Sequence, residues 1–364
     1  MSDNIPFDIQ LAIMNRLPVK SLLQFRSVSK LWKYSIDCSD FVREYGFRES
    51  NNCCLYLTFK QNFEGVICSV DDNLALSPVV SNLKFFNLTP FATSEGVWCF
   101  SYGENSMLLI WNPSLKKSVR ILVPNYLLEA DSPKMLFGFG VHPVTLDPTL
   151  LKINYPYYGQ GPWYVSVFTL SSRTWYKLDS YCLPRESIRI KRSGQAVVGG
   201  KIFWVGSEKF YSDDGISYKI YMLVSFDLIT HQFQVIDMPE EMLVGQCLPP
   251  YYISQLGDCI IISGSFKFVD FSIIYAWELQ VDDGEVSWYR KLFTLPYPIE
   301  HDLKLIGFTK DKQPIVEASF VQQLHQSLQV FNPTFQIFQN LVVESNHGSF
   351  FIGPYKESLI LLNV

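Results

Sequence analysis

One recurring unit limits what this chain can fold into: a short apolar run ending in an aromatic residue, a polar turn, then a second short run. It reads Leu109-Ile110-Trp111-Asn112-Pro113-Ser114, with Val119 to Leu122 following. It returns as Val165 to Phe168, Ser171-Ser172-Arg173 and Trp175-Tyr176, then as Leu223 to Phe226-Asp227-Leu228-Ile229-Thr230 and Phe233. Ile274 to Trp277, Asp282-Asp283-Gly284 and Trp288 make the fourth copy, and Leu328 to Phe331-Asn332-Pro333-Thr334 with Phe335 to Phe338 the fifth. The aromatics Trp111, Phe168, Phe226, Trp277 and Phe331 are spaced by 57, 58, 51 and 54 residues. A further hairpin precedes such units, as in Val197 to Trp204 and Leu256 to Ile261, where Gly199-Gly200 and Gly257-Asp258 supply the positive φ of a tight turn. Two hairpins per period make four strands, and four-stranded units repeated in a ring are propeller blades.

Five blades follow from the repeat. A hairpin over Leu55 to Val70 remains at one end, and two strands near Phe350-Phe351-Ile352 and Ser358 to Leu362 at the other. Joined, they predict a sixth blade built from both ends of the domain, which removes the open sheet edges of a linear array. The expected fold is mainly β, with six blades and seven as the alternative.

Composition permits this and excludes other classes. Of 364 residues 48% are hydrophobic and 18% charged, enough for a large core. A net charge of -5 argues against generic nucleic-acid binding, which needs a strongly basic face. The eight cysteines form no Cys-x-x-Cys pair and read mostly as buried small hydrophobes in a reducing compartment. With the five scattered histidines they give no metal-ligand spacing, and no cofactor is expected. No apolar run approaches the length of a membrane span and no secretory leader is expected, so a cytoplasmic or nuclear protein is anticipated. There is no Gly-x-Ser-x-Gly elbow, Phe137-Gly138-Phe139-Gly140 lacks the third glycine of a dinucleotide loop, and Gly199-Gly200-Lys201 lacks phosphate-loop spacing. No enzymatic activity is expected.

The first fifty residues have a helical rhythm instead. Ile9, Ile13 and Leu17 fall at i, i+4 and i+8, Pro18 separates this helix from one striped by Val19, Leu22 and Leu23, and Val28, Leu31, Trp32 and Ile36 mark a third. Phe7, Leu11, Met14 and Phe25 are apolar off those faces. A segment this short cannot bury so much apolar surface within itself, so the helices must pack on the rest of the chain or dock on a partner.

The segment resembles an F-box through Ile5-Pro6, Ile13-Met14, Arg16-Leu17-Pro18-Val19-Lys20-Ser21-Leu22-Leu23 and Phe25-Arg26-Ser27-Val28-Ser29-Lys30-Leu31-Trp32. Ile5, Ala12 and Gln24 stand where the plant motif usually has Leu, Glu and Arg. The resemblance implies docking on a Skp-type adaptor, and through it on a cullin scaffold, by Ile5, Pro6, Ile13, Leu17, Pro18, Leu22, Val28 and Trp32. The body resembles the F-box-associated, kelch-like propeller of plant F-box proteins through Trp111-Asn112-Pro113-Ser114, Phe137-Gly138-Phe139-Gly140 ahead of Asp147-Pro148, Phe226-Asp227 and Tyr355 to Leu361. The expected organisation is a three-helix domain over 1–45, a linker over 46–54 and the propeller over 55–364. The function so implied is the substrate-recognition subunit of a Skp–cullin–F-box ubiquitin ligase. The alternative is a propeller that binds a sugar or small metabolite, with the helices as a cap.

In a four-stranded meander the second-to-third connections and the links between blades share one face, and here those are the long ones, such as Tyr155 to Trp163, Ser207 to Lys219 and Ser265 to Ser272. Long connections on a rigid scaffold carry recognition. The residues expected to hold a protein substrate there are Tyr157, Tyr158, Trp163, Tyr211, Tyr251 and Tyr252, with Arg185, Arg189 and Arg192 as a basic cluster for an acidic or phosphorylated segment.

Overall fold

A computed structural model of the chain describes residues 5–49, 54–61, 64–71, 74–79, 87–103, 106–124, 133–156, 161–191, 194–212, 214–243, 248–268, 271–282, 285–298, 301–320, 325–346 and 350–361. Helices α1 (Phe7–Met14), α2 (Val19–Phe25), α3 (Lys30–Ile36) and α4 (Ser39–Glu49) come first. Pro6 and Pro18 precede α1 and α2, where a missing amide costs no hydrogen bond. The Ser29 hydroxyl caps α3 by accepting from the amides of Leu31 and Trp32 at 3.1 and 3.3 Å. The fourth helix corrects the expectation of three: it runs across residues 46–49, within the expected linker. Phe41 and Tyr45, four apart, drive it by burying one face.

Six antiparallel sheets follow. Blade 1 contains β1 (Cys54–Gln61), β2 (Glu64–Val70) and β3 (Leu76–Pro78). Blade 2 is β4 (Leu88–Ser94), β5 (Val97–Tyr102), β6 (Met107–Asn112) and β7 (Lys117–Leu122). Blade 3 is β8 (Pro133–Val141), β9 (Pro148–Pro156), β10 (Tyr164–Thr169) and β11 (Thr174–Lys177). In blade 4 the first strand is split into β12 (Arg189–Ile190) and β13 (Ala196–Val198), both paired with β14 (Lys201–Tyr211), which is followed by β15 (Ser217–Asp227) and β16 (Phe233–Asp237). Blade 5 is β17 (Leu248–Leu256), β18 (Cys259–Lys267), β19 (Phe271–Asp282) and β20 (Glu285–Pro298). Blade 6 is β21 (His301–Phe308), β22 (Pro314–Phe320), β23 (His325–Asn332) and β24 (Ile337–Asn346), and β25 (Phe351–Tyr355) returns to pair with β1. The first strands touch one another around the ring, β25 to β4 to β8, β13 to β17, and β17 to β21 to β25, which places them about the axis.

The recurring aromatics Trp111, Phe168, Phe226, Trp277 and Phe331 all lie on third strands, and all but the half-buried Trp277 are buried between blades. The closing blade is assembled differently from expectation. It takes three strands from one end and β25 alone from the other, and residues 358–361 form no strand. The repeated Gly138 of Phe137-Gly138-Phe139-Gly140 serves packing: a Cβ there would stand 2.6 Å from the Trp204 ring of blade 4. Among the six described cysteines only Cys68 and Cys99 are buried, so the expectation that most are core residues does not hold for these six.

Candidate functional site

The helices have two apolar faces, and the fold turns one inward. Met14, Val19, Leu22, Ile36, Phe41 and Tyr45 form a buried cluster with Leu359 from the far end of the domain. The Arg26 guanidinium grips Asp37 through two bonds of 2.5 and 2.9 Å, which holds α2 against the end of α3 and raises the Arg26 pKa. The Trp32 indole donates to Gln10 at 3.0 Å and meets Phe25 edge-on at 5.3 Å.

The other face is bare. Ile5, Ile9, Ile13, Val28, Leu31 and Tyr34 are between 46% and 78% exposed, an apolar ridge along α1, α3 and the residues just before each. Of the residues expected to meet an adaptor, Ile5, Pro6, Ile13, Pro18 and Val28 are exposed and Leu17 and Trp32 half-buried. Leu22 is fully buried and therefore holds the helices together, a correction forced by its place facing Ile36 and Tyr45. Ile9 and Leu31 belong to the apolar stripes of the sequence, whereas Tyr34 joins the ridge from outside them.

A short segment after β25 fastens the helices to the ring. Glu357 accepts from the Val19 amide at 2.9 Å and from the Tyr45 hydroxyl at 2.7 Å. Lys356 bonds the Gly46 carbonyl at 3.3 Å and pairs with Glu95 at 2.5 Å. The buried Asn112 amide donates to the carbonyls of Ser358 and Ile360 at 2.9 and 2.7 Å, and its oxygen accepts from the Leu115 amide. Arg43 adds a bond of 2.7 Å to the Val144 carbonyl. Glu95, Leu115 and Val144 lie in first-to-second or third-to-fourth turns of blades 2 and 3. The helices thus sit on the tight-turn face, opposite the second-to-third connections.

On the opposite face much of the connections Ser207 to Lys219 and Ser265 to Ser272 is paired strand, since β14 and β15 pair as far as Tyr211 and Ser217, and β18 and β19 as far as Lys267 and Ser272. Tyr211 is 66% exposed and Tyr252 half-buried beneath the Lys304 ammonium at 5.3 Å. Trp163 and Tyr251 are buried, against the expectation that they are offered to a substrate. Trp163 donates to the Ile188 carbonyl at 3.1 Å, and Tyr251 packs edge-on against Tyr221 at 4.8 Å, so both wedge neighbouring strands together. Arg185 is exposed but pairs with Glu208 at 2.8 Å. Arg189 lies over the Tyr155 ring at 5.2 Å, donates to the Ile188 carbonyl, and has its pKa lowered by burial. Tyr157, Tyr158 and Arg192 lie outside the described residues.

Among the described residues no group of three or more His, Cys, Asp and Glu could hold a metal ion, and no helix is long and apolar enough to cross a membrane. The family model of the F-box domain matches residues 2–44, and that of the F-box associated beta propeller domain matches residues 47–359. The Arabidopsis thaliana F-box protein At4g21240 is 27% identical over 322 residues, covering 82% of this chain and 70% of that protein. The F-box/kelch-repeat protein At3g17540 of the same plant is 24% identical over 247 residues, 65% of this chain and 59% of its own length. Among solved structures, the beta-propeller domain of the Trilobed protease from Pyrococcus furiosus gives a TM-score of 0.37 at 12% identity, covering 80% of this chain and 94% of that one.

Proposed function

Because the chain belongs to the plant F-box proteins that carry a C-terminal F-box associated β-propeller, we propose that it is the substrate-recognition subunit of a Skp–cullin–F-box ubiquitin ligase. The ridge of Ile5, Ile9, Ile13, Val28, Leu31 and Tyr34 supports this reading most directly, because it leaves apolar surface on helices whose opposite face is already packed. Burying one such side chain contributes about 1.5–3 kcal/mol, so a Skp-type adaptor covering the ridge gains a stable contact from preformed helices. The opposed propeller face then holds a target protein, with Tyr211, Tyr252, Arg185 and Arg189 as proposed contacts. The chain contributes proximity and orientation to the transfer, and no bond chemistry.

The test is co-expression of the full chain with a Skp-type adaptor, followed by size-exclusion chromatography. Ile9→Asp with Ile13→Asp is expected to abolish co-elution while leaving the thermal transition of the propeller in place. Undiminished co-elution of the doubly substituted chain would overturn the reading.

A further inference from the structure

Blades 4 and 5 are neighbours, and their second-to-third hairpins rise on the same face. In β14 and β15 alternate residues point toward blade 5: Phe203, Val205, Tyr221 and Leu223 do so within the shared core with Ile260, Ile262 and Tyr275. The same alternation carries Lys209, Tyr211 and Lys219 to that side further out, where all three are exposed. On blade 5, Phe266 and Ile273 pack against the same core and so face blade 4. Phe268 and Phe271 continue that side, stacked at 4.5 Å and each 40% exposed. Nearer the core Tyr221 of blade 4 packs edge-on against Tyr251 of blade 5, with the Lys191 ammonium 4.6 Å over the Tyr221 ring.

Two properties of this cleft call for a ligand of one kind. Lys209 and Lys219 stand directly opposite each other in the ladder, and like charges so placed repel. Among the described residues no carboxylate forms an ion pair with either, and Glu208, on the other side of the hairpin, is taken by Arg185. The facing wall is a run of phenylalanines open to water. We propose that the cleft between the two hairpins binds an extended acidic segment of the target protein, its Asp and Glu side chains toward Lys209 and Lys219 and a large apolar side chain on Phe268 and Phe271. The described basic groups of the cleft are lysines, point charges that attract any anion, so the carboxylate assignment is set against phosphate by the peptide controls below. The inference rests on the substrate-receptor reading, of which it specifies the ligand.

The experiment uses the full chain with its adaptor and a fluorescent library of Asp- and Glu-rich dodecapeptides holding a central Phe or Leu, with Ser-substituted, phosphoserine and Lys-rich libraries as controls. Acidic peptides with the apolar centre should be enriched and should weaken about tenfold or more between low and moderate salt. Lys209→Glu with Lys219→Glu should abolish this binding. Phe268→Ser with Phe271→Ser should keep the acidic preference and remove that for the apolar centre. Thermal melting and adaptor co-elution of both variants should match the parent, since the altered side chains are exposed hairpin positions. Enrichment of phosphopeptides alone, or acidic binding indifferent to the lysine reversal, would overturn the proposal. Loss of adaptor co-elution in the parent chain would instead sink the ligase reading, and is scored separately from peptide binding.

Discussion

The Glu357 carboxylate caps helix α2 from 338 residues away, accepting the Val19 amide at 2.9 Å. That amide is one of those a helix start leaves without a partner, and the Tyr45 hydroxyl of α4 shares the same oxygen at 2.7 Å. One side chain therefore holds two helices to the ring. Glu357→Ala should cost about 1.5–3 kcal/mol of helix docking, the range for hydrogen bonds to a charged group. Hydrogen exchange should speed at the Val19 amide and along α4, while the blades keep their protection. Unchanged exchange in α4 would show that the contact does not hold the helices.

Asn112 performs the matching task from the ring side. Its amide nitrogen faces two carbonyls, so Asn112→Asp keeps the shape and replaces attraction by repulsion. A fall of about 3–5 kcal/mol in the denaturant-derived stability is expected for a buried charge left uncompensated. Gly96→Ala should act on the same attachment, because φ is +74° and a Cβ would come 2.3 Å from the Lys356 carbonyl oxygen. Limited proteolysis should then release the helices from an intact propeller.

The two faces of the helices can be separated by substitution. Leu22→Ala opens a cavity beside Ile36 and Tyr45 and should lower stability by about 2–5 kcal/mol. Ile13→Ser, on the ridge, should change stability by less than about 0.5 kcal/mol. Urea melts of the two variants decide this, and equal losses would refute the assignment of inner and outer faces.

His231 gives the structure a pH dependence. It holds a turn at φ 56°, bonds the Tyr176 hydroxyl of blade 3, and has its pKa lowered from 6.5, first by burial and then by His142. The unfolded chain then binds the proton more readily than the folded one. The contribution of this group is complete above pH 6.5 and is lost as pH falls through the lower folded-state pKa. His231→Asn, which tolerates the same backbone, should flatten the decline in melting temperature between about pH 7 and pH 5. A parallel decline in both proteins would refute the linkage.

The ring was legible because the third strand of five blades carries an aromatic before a turn, buried between blades in all of them but Trp277, a pattern set by packing between neighbouring blades. The closing blade was harder. β3 is Leu76-Ser77-Pro78, too short to show alternation, so the division into three strands and one had no sequence signal. In α1, Ile9 and Ile13 are as apolar as Leu11 and Met14, and periodicity alone cannot say which pair looks inward. For Leu22 that ambiguity ended in the wrong face. Aromatics near loops, such as Trp163 and Tyr251, suit both an interface and a wedge, and only the strands around them decide. Phe41 and Tyr45 did offer a signal for α4, hidden by Gly46 in the same turn.

The stretch that completes the ring also secures the helices, because β25 runs directly into Lys356 and Glu357. During synthesis the F-box leaves the ribosome long before these residues exist, so its helices pack on one another without Leu359 and without the bonds from Lys356 and Glu357. A polypeptide broken off anywhere inside the propeller would therefore carry loose helices rather than a mounted pair of surfaces, so recruitment to the larger machine is coupled to completion of the β-structure.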